Sequence, residues 1–241
     1  MPPAIVLAGG LGTRLRSVVA DRPKVLAPVA GEPFLAHLLR QLERSGVPNV
    51  VLATGYGGEQ VEEYLASSRL SEMTVQCVRE KEPLGTGGAL AFAAREAGIA
   101  SPLANADLRV LALNGDTFFG GDLAELAASD APVTLALAQV ADARRFGRVA
   151  LADGEDPVRI TGFEEKGAAT GPAWINAGVY HITLDALAGI EPNTFVSFER
   201  DVMPELVAGR ELAGIRFPEA PFLDIGTPED YDRAADVLAA L

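Results

Sequence analysis

The stretch Ile5-Val6-Leu7-Ala8-Gly9-Gly10-Leu11-Gly12-Thr13-Arg14-Leu15, followed by Pro23-Lys24, constrains this chain more than any other part of it. An apolar run of strand type empties directly into a glycine-rich turn. That turn carries an arginine, and a lysine follows ten residues later. Glycines let backbone N–H groups approach a phosphate closely, because no Cβ blocks the way and φ > 0 is open to them. Arg14 and Lys24 add positive charge that a polyphosphate would use during reaction. The turn suits a nucleoside triphosphate or something very like one.

Other readings of the glycines fit less well. A P-loop needs GxxxxGK[ST], which Gly9 through Arg14 do not supply. A dinucleotide fingerprint needs GxGxxG in a βαβ unit with an acidic residue about 20 positions on. Here the order is Gly-Gly-Leu-Gly-Thr-Arg, so the fingerprint is broken, although Asp21 sits nearby. A tight strand-to-helix turn without a ligand would explain the glycines. It would not explain the arginine, the lysine and their place right after an N-terminal strand.

With 241 residues the chain is long enough for one large α/β domain or two small ones. Its net charge of −13 argues against a nucleic-acid partner, since no basic surface is available to neutralise a run of phosphates. A single small anion needs only a local cluster of Arg and Lys, so it stays admissible. One cysteine, Cys77, makes no internal disulfide, and its valine neighbours suggest a partly buried strand residue. With no basic, cleavable leader and no apolar run of about 18 residues, the chain reads as cytoplasmic, without a membrane partner. Homo-oligomerisation is left open.

Strand-like and helical stretches alternate through the first half. Strands are expected at 4–7, 49–54, 74–78 and 108–113, and helices at 33–45, 58–67 and 87–97. Alternation of this kind favours a mostly parallel sheet with helices on both faces and ligands beyond the carboxyl ends of the strands. The glycine turn and Asn114-Gly115-Asp116 both fall at such ends. From 133–140 onward, with further runs at 147–151, 159–164 and 174–181, the pattern suits a mixed or antiparallel extension covering one side of the site. A closing helix is expected over 228–241 with Thr227 as its N-cap. Residues 1–130 read as a nucleotide-binding half and 131–241 as the remainder of a single domain.

Asp116, at the end of an apolar strand, is well placed to hold Mg²⁺, which prefers oxygen ligands and keeps several waters. One carboxylate is not a full site, and Asp224, after Phe222-Leu223, is the best candidate for its partner. Capping of turns is the plainer reading of either aspartate alone. In Leu84-Gly85-Thr86-Gly87-Gly88, Gly85 and Gly87 would permit flat approach of a ring and Thr86 could hydrogen-bond it. Lys166 could pair with an acceptor phosphate, and Glu164, Glu165 or Glu199 could accept hydrogen bonds from sugar hydroxyls. A solvated Glu/Lys surface run is the alternative. His37 and His181 lack ligand-type neighbours and read as structural.

Taken in order, these motifs resemble the sugar-1-phosphate nucleotidyltransferase family over essentially the whole chain. They run from Leu7–Arg14 through Pro23-Lys24, Gly85–Gly88, Asn114–Asp116, Glu165-Lys166 and Asn176-Ala177-Gly178 to Asp224–Pro228. Within it, the chain most resembles the D-glycero-D-manno-heptose 1-phosphate guanylyltransferases, on 14–19, Phe146-Gly147-Arg148-Val149 and Phe198-Glu199-Arg200-Asp201. The resemblance implies a Rossmann-like, mostly parallel mixed sheet flanked by helices, of nucleotide-diphospho-sugar transferase type, without a C-terminal β-helix. It implies transfer of a nucleotidyl group from an NTP, GTP favoured, to a sugar 1-phosphate, releasing pyrophosphate. By the same resemblance Leu7, Ala8, Gly9, Gly10, Gly12 and Thr13 hold the triphosphate, Arg14 stabilises leaving pyrophosphate and Lys24 bridges the two phosphates. Asp116 and Asp224 would bind Mg²⁺, and Gly85 and Thr86 would approach the base. Gly115, Glu165, Lys166, Asn176, Gly178 and Glu199 would serve the sugar phosphate.

Neighbouring activities are mannose-1-phosphate guanylyl transfer and N-acetylmuramate-1-phosphate uridylyl transfer. A catalytically silent regulatory homologue should have lost Arg14, Lys24 or an aspartate, and this chain retains all of them. An NAD-dependent oxidoreductase is disfavoured by the broken fingerprint and leaves Pro23-Lys24 and Asp224 unexplained.

Overall fold

The computed structural model of the chain describes residues 1–10, 12, 15, 19, 21–68, 73–99, 108–164, 167 and 171–239. Strand β1 (Ala4–Leu7) sends Ala4 and Val6 into a core on one side and Ile5 into a core on the other. A strand buried on both faces needs apolar residues at every position, so it reads as a continuous run and not as an alternation.

The chain next makes a 3₁₀ turn at Lys24–Leu26, then β2 (Pro28–Val29), β3 (Glu32–Pro33) and helix α1 (Phe34–Arg44). Phe34, Leu35, Leu38, Leu39 and Leu42 of α1 are buried at helical spacing against the Val6 side. Strand β4 (Asn49–Thr54), helix α2 (Gly58–Ser67), strand β5 (Thr74–Arg79), helix α3 (Gly85–Glu96) and strand β6 (Arg109–Asn114) follow. Leu90 and Ala93 of α3 pack on the Ile5 side. β4 and β6 flank β1, both parallel to it, and β5 lies beyond β4. Strand order therefore reverses beside β1, and ligands in such sheets bind at that reversal, beyond the strand ends. The alternation expected for the first half is present, with α3 starting at Gly85 instead of residue 87.

Strand β7 (Thr117–Phe119), helix α4 (Leu123–Ala127), strands β8 (Val133–Val140), β9 (Arg148–Leu151), β10 (Val158–Glu164) and β11 (Ala173–Thr183) and helix α5 (Asp185–Ala188) lead to a π-helical turn at Phe198–Val202. Helix α6 (Met203–Gly209), strands β12 (Leu212–Phe217) and β13 (Phe222–Asp224) and helix α7 (Pro228–Ala239) complete the chain. Among the described residues one sheet holds nine strands, in the order β5-β4-β1-β6-β11-β8-β12-β10-β9. β11 runs antiparallel between β6 and β8, so the extension is mixed, as expected, and continuous with the parallel half. β12 is absent from the runs read in the sequence. Gly214 interrupts it, and a Cβ there would lie 2.6 Å from Leu137 Cδ1, so close packing asks for a residue that sequence reading takes as a break.

Thr227 caps α7 as expected: the Asp230 N–H donates to its Oγ1 at 3.4 Å. Cys77 is half-buried on β5, and desolvation raises its thiol pKa to about 11, so it is an inert thiol. Among the described residues no helix is long and apolar enough to cross a membrane.

Candidate active site

Leu7 ends β1 directly opposite Asn114 of β6, and the Gly115 N–H donates to Leu7 O at 2.9 Å. A Cβ on Gly115 would stand 2.4 Å from that same oxygen, so only glycine lets the two strand ends close together. Beyond them opens a cleft of about 400 Å³, with Leu7, Ala8, Gly9, Gly10 and Gly12 along one wall. Gly12 has a φ of 56°, the left-handed conformation expected of this turn. Gly10 has nothing within 4 Å of where its Cβ would sit. The protein's own packing thus does not demand glycine there, whereas close approach of a ligand would. Thr13 and Arg14 lie outside the described residues.

Lys24 also lines the cleft. Buried Val25 and Leu26 anchor its 3₁₀ turn, leaving the lysine side chain only 10% exposed. Its Nζ donates to Asp116 Oδ2 at 2.6 Å and stands 3.9 Å from Asp224 Oδ1. Antiparallel pairing of β13 with β7, which sets Asp224 opposite Thr117, brings the second carboxylate there. The Ile225 N–H donates to Asp116 O at 3.0 Å and locks that pairing beside the cleft. Burial, then the neighbouring charge of Asp116, push the Asp224 carboxyl above its ordinary range. Lys24 and the Gly226 N–H, 2.6 Å from Asp224 Oδ1, pull the other way. Among the described residues no group of three or more His, Cys, Asp or Glu is placed to hold a metal. The pair Asp116–Asp224 still fits Mg²⁺, which takes one or two carboxylates and completes its shell with waters and substrate phosphates.

Gly85 and Thr86 line the same cleft. Gly85 has a φ of 70°, and its Cβ would meet Val196 O at 2.5 Å. A Cβ on Gly88 would meet Thr194 O at the same distance. Both glycines make room for the 194–196 backbone, a packing demand that the sequence reading of this loop did not include. The Thr86 hydroxyl accepts from the Phe198 N–H at 2.8 Å and donates to Glu199 Oε2 at 2.6 Å, so the fold itself engages it. Glu199 is thereby held beside the candidate base loop. The Ser197 hydroxyl donates to its Oε2 at 3.2 Å, and the buried Tyr180 hydroxyl reaches its Oε1 at 3.5 Å.

Asn176 and Gly178 form a bulge in β11, where its register with β8 shifts. The Gly178 N–H donates to Asn176 Oδ1 at 2.9 Å, and a Cβ on Gly178 would strike Asn114 Nδ2 at 2.5 Å. The bulge thus lies against the end of β6, beside the cleft but not among its lining residues. Glu165 and Lys166 lie outside the described residues. His37 bonds Val29 O at 3.0 Å. His181 is buried within β11, its pKa lowered to about 4 by desolvation and by Arg109, so it stays neutral and structural.

Sequence reasoning missed Glu80, Pro83 and Phe195, all of which line the cleft. Glu80 follows the end of β5 just as Asp116 follows β6, a signal that was available. Phe195 carried no such signal.

The nucleotidyl transferase family profile matches residues 3–240. The chain is 38% identical to the D-glycero-alpha-D-manno-heptose 1-phosphate guanylyltransferase of Campylobacter jejuni, over 95% of this chain and 96% of that protein. It is 37% identical to the mannose-1-phosphate guanylyltransferase of Mycobacterium tuberculosis, over 99% of this chain but only 65% of that longer protein. Among solved structures, HddC of Yersinia pseudotuberculosis superimposes with a TM-score of 0.84 at 30% identity, covering 99% of this chain and all of that one. HddC is also known in complex with GMP-PN.

Proposed function

Because this chain belongs to the nucleotidyl transferase family, we propose that it transfers a guanylyl group from GTP to D-glycero-D-manno-heptose 1-phosphate, giving GDP-heptose and pyrophosphate. The observation that carries this reading is Lys24 held between Asp116 and Asp224 in a glycine-lined cleft. In the transfer an acceptor phosphate oxygen forms a bond to the α-phosphorus, and the α–β bridge breaks with its electrons going to pyrophosphate. That nucleophile is already an anion at neutral pH, so no general base is required, and among the described residues lining the cleft there is no His or Cys. The barrier is the approach of one anion to another, and fixed positive charge with in-line positioning lowers it.

On this reading the backbone of Gly9, Gly10 and Gly12 with Thr13 cradles the triphosphate, and Arg14 receives the charge that grows on pyrophosphate. Lys24 bridges donor and acceptor phosphates. Asp116 and Asp224 would hold Mg²⁺, whose chemistry there is to screen the phosphate charge. Gly85 and Thr86 shape the nucleoside end through backbone. Gly115, Glu165, Lys166, Asn176, Gly178 and Glu199 serve the sugar phosphate. Both substrates are small and anionic, and a cytoplasmic location agrees with a chain whose one cysteine makes no internal disulfide.

Glu80 supports guanine as the base. Its Oε2 accepts from the Leu84 N–H at 2.9 Å, and its Oε1 lies 3.0 Å from where a Gly9 Cβ would be, facing the cleft. Guanine presents two adjacent donors, N1–H and the 2-amino group, which one carboxylate accepts. Uracil presents one N–H between two carbonyls that a carboxylate repels. Glu80→Gln is therefore expected to lower kcat/KM for GTP by about 10- to 100-fold and to abolish the preference for GTP over inosine triphosphate. An unchanged GTP/ITP ratio in that variant would remove Glu80 from base selection.

Identity of 37% to a mannose-1-phosphate guanylyltransferase supports a second acceptor, mannose 1-phosphate. Pyrophosphate release tests both readings: GTP, UTP, CTP, ATP and dTTP, each with heptose, mannose, glucose and N-acetylmuramate 1-phosphates and Mg²⁺. Release with GTP and the heptose substrate alone is the expected result. Release with GTP and mannose 1-phosphate would keep the chemistry and replace the sugar. No release from folded protein in any pairing would leave a silent nucleotide-binding homologue.

A further inference from the structure

Phe195 is 58% exposed, more than any other large apolar side chain among the described residues. The backbone that follows it is pinned. The Val196 N–H donates to Leu84 O at 2.9 Å, and the N–H groups of Gly87 and Gly88 donate back to Val196 O at 2.9 and 3.1 Å. The Phe198 N–H to Thr86 Oγ1 bond at 2.8 Å ties down the other side of the segment. The Phe195 ring itself lies against Gly85, its Cζ 3.3 Å from where a Cβ would be. A ring held by this lattice at the edge of a cleft, and left in water, forgoes stabilisation that burial would bring. A flat ligand ring would supply that burial.

Resting on the nucleotidyl-transfer reading, we propose that Phe195 is the stacking platform for the nucleobase of the bound triphosphate. Lys24, Asp116 and the glycine turn offer charged groups and backbone N–H groups that suit phosphates, while Phe195, Pro83 and Ala89 give the same cleft apolar surface. Glu80 lines the same cleft and offers an acceptor to the edge of a stacked guanine. Of the acceptor-sugar candidates, Gly115 lines this cleft, whereas Asn176, Gly178 and Glu199 do not. Stacking draws on the face of a base and reads little of its identity. Phe195 therefore supplies affinity for any purine triphosphate, and Glu80 supplies the choice of guanine.

The test is a series at one position: Phe195→Ala, Phe195→Leu and Phe195→Tyr. Loss of the ring is expected to raise KM for GTP about 10-fold in both the alanine and leucine variants. Inhibition by inorganic tripolyphosphate, which has no base, should stay within about two-fold of the parent, as should KM for the sugar phosphate. The tyrosine variant should restore the parent KM. Rescue by leucine would show that any apolar bulk suffices, which overturns stacking. An equal weakening of GTP and tripolyphosphate would mean that the loop had shifted, and a rise confined to the sugar phosphate would place the ring over the acceptor. Either result overturns the proposal. Failure of the transfer reading is detected separately by binding in the Phe195→Trp variant. Its added fluorescence, measured against the parent with Trp174 alone, should be quenched by GTP and not by tripolyphosphate. That result supports the platform even in a protein that turns over no sugar phosphate, and absence of GTP quenching overturns it.

Discussion

Asp224→Asn is expected to cut turnover by roughly three orders of magnitude while leaving the protein at least as stable as before. The two halves of this expectation have one cause. Asparagine keeps an oxygen to accept the Gly226 N–H, so the local turn survives. What disappears is a buried negative charge that desolvation and Asp116 both penalise. A carboxyl whose pKa is raised in the folded state is destabilising when ionised, and its cost grows as pH rises past the unfolded value. Removing that charge near neutral pH therefore relieves the fold, yet it takes away one of the two carboxylates proposed to hold Mg²⁺. Asp116→Asn should behave differently. It weakens the 2.6 Å ion pair of a lysine that is only 10% exposed, so both turnover and melting temperature should fall. Thermal melts alongside initial rates at several Mg²⁺ concentrations separate the cases. Wild-type turnover in Asp224→Asn would remove that residue from the metal site.

Lys24→Ala is expected to lower kcat by about 100- to 1,000-fold, the usual effect of removing one fixed donor from developing phosphate charge. KM for GTP should change far less, since the glycine backbone would still hold the triphosphate. A second signature follows from the electrostatics. Lys24 is the cation that pulls the Asp224 carboxyl down against burial and Asp116. Without it that carboxyl gives up its proton only at higher pH, so the acid limb of the kcat profile should move upward. Lys24→Arg should rescue poorly, because a planar guanidinium does not fit the space of a compact ammonium set between two carboxylates. A variant whose kcat and acid limb both match the parent, with only KM changed, would reduce Lys24 to a binding contact.

Much of the site's framework was legible because it is local in sequence. A four-residue strand, the turn that follows it and the glycine that turn requires are written in adjacent residues, and so is the Asn114-Gly115-Asp116 end of β6. The bulge at Asn176-Ala177-Gly178 showed for the same reason, as a break inside an apolar run. Other features had no local trace. Gly85 looked like part of a ligand-facing loop, yet its missing Cβ, like that of Gly88, makes room for residues 194–196, more than a hundred positions away. Thr86 looked free for a base, and Glu199 turned out to hold it. Gly214 went unread in the sequence and is the packing residue of a strand.

The sequence by itself determined the alternating strands and helices, the position of β1 and its phosphate-type turn, and the residue types a nucleotidyl transfer needs. It did so because periodicity and glycine placement are properties of neighbours along the chain. Only the tertiary structure decided that Asp224 meets Asp116 across Lys24. That meeting depends on β13 pairing with β7, and a strand pairing between distant segments is set by how the whole core closes. The exposure of Phe195 was decided in the same way. A phenylalanine is expected to be buried, and only the hydrogen-bonded frame of residues 84–88 and 196–198 shows that this one is held open to the cleft.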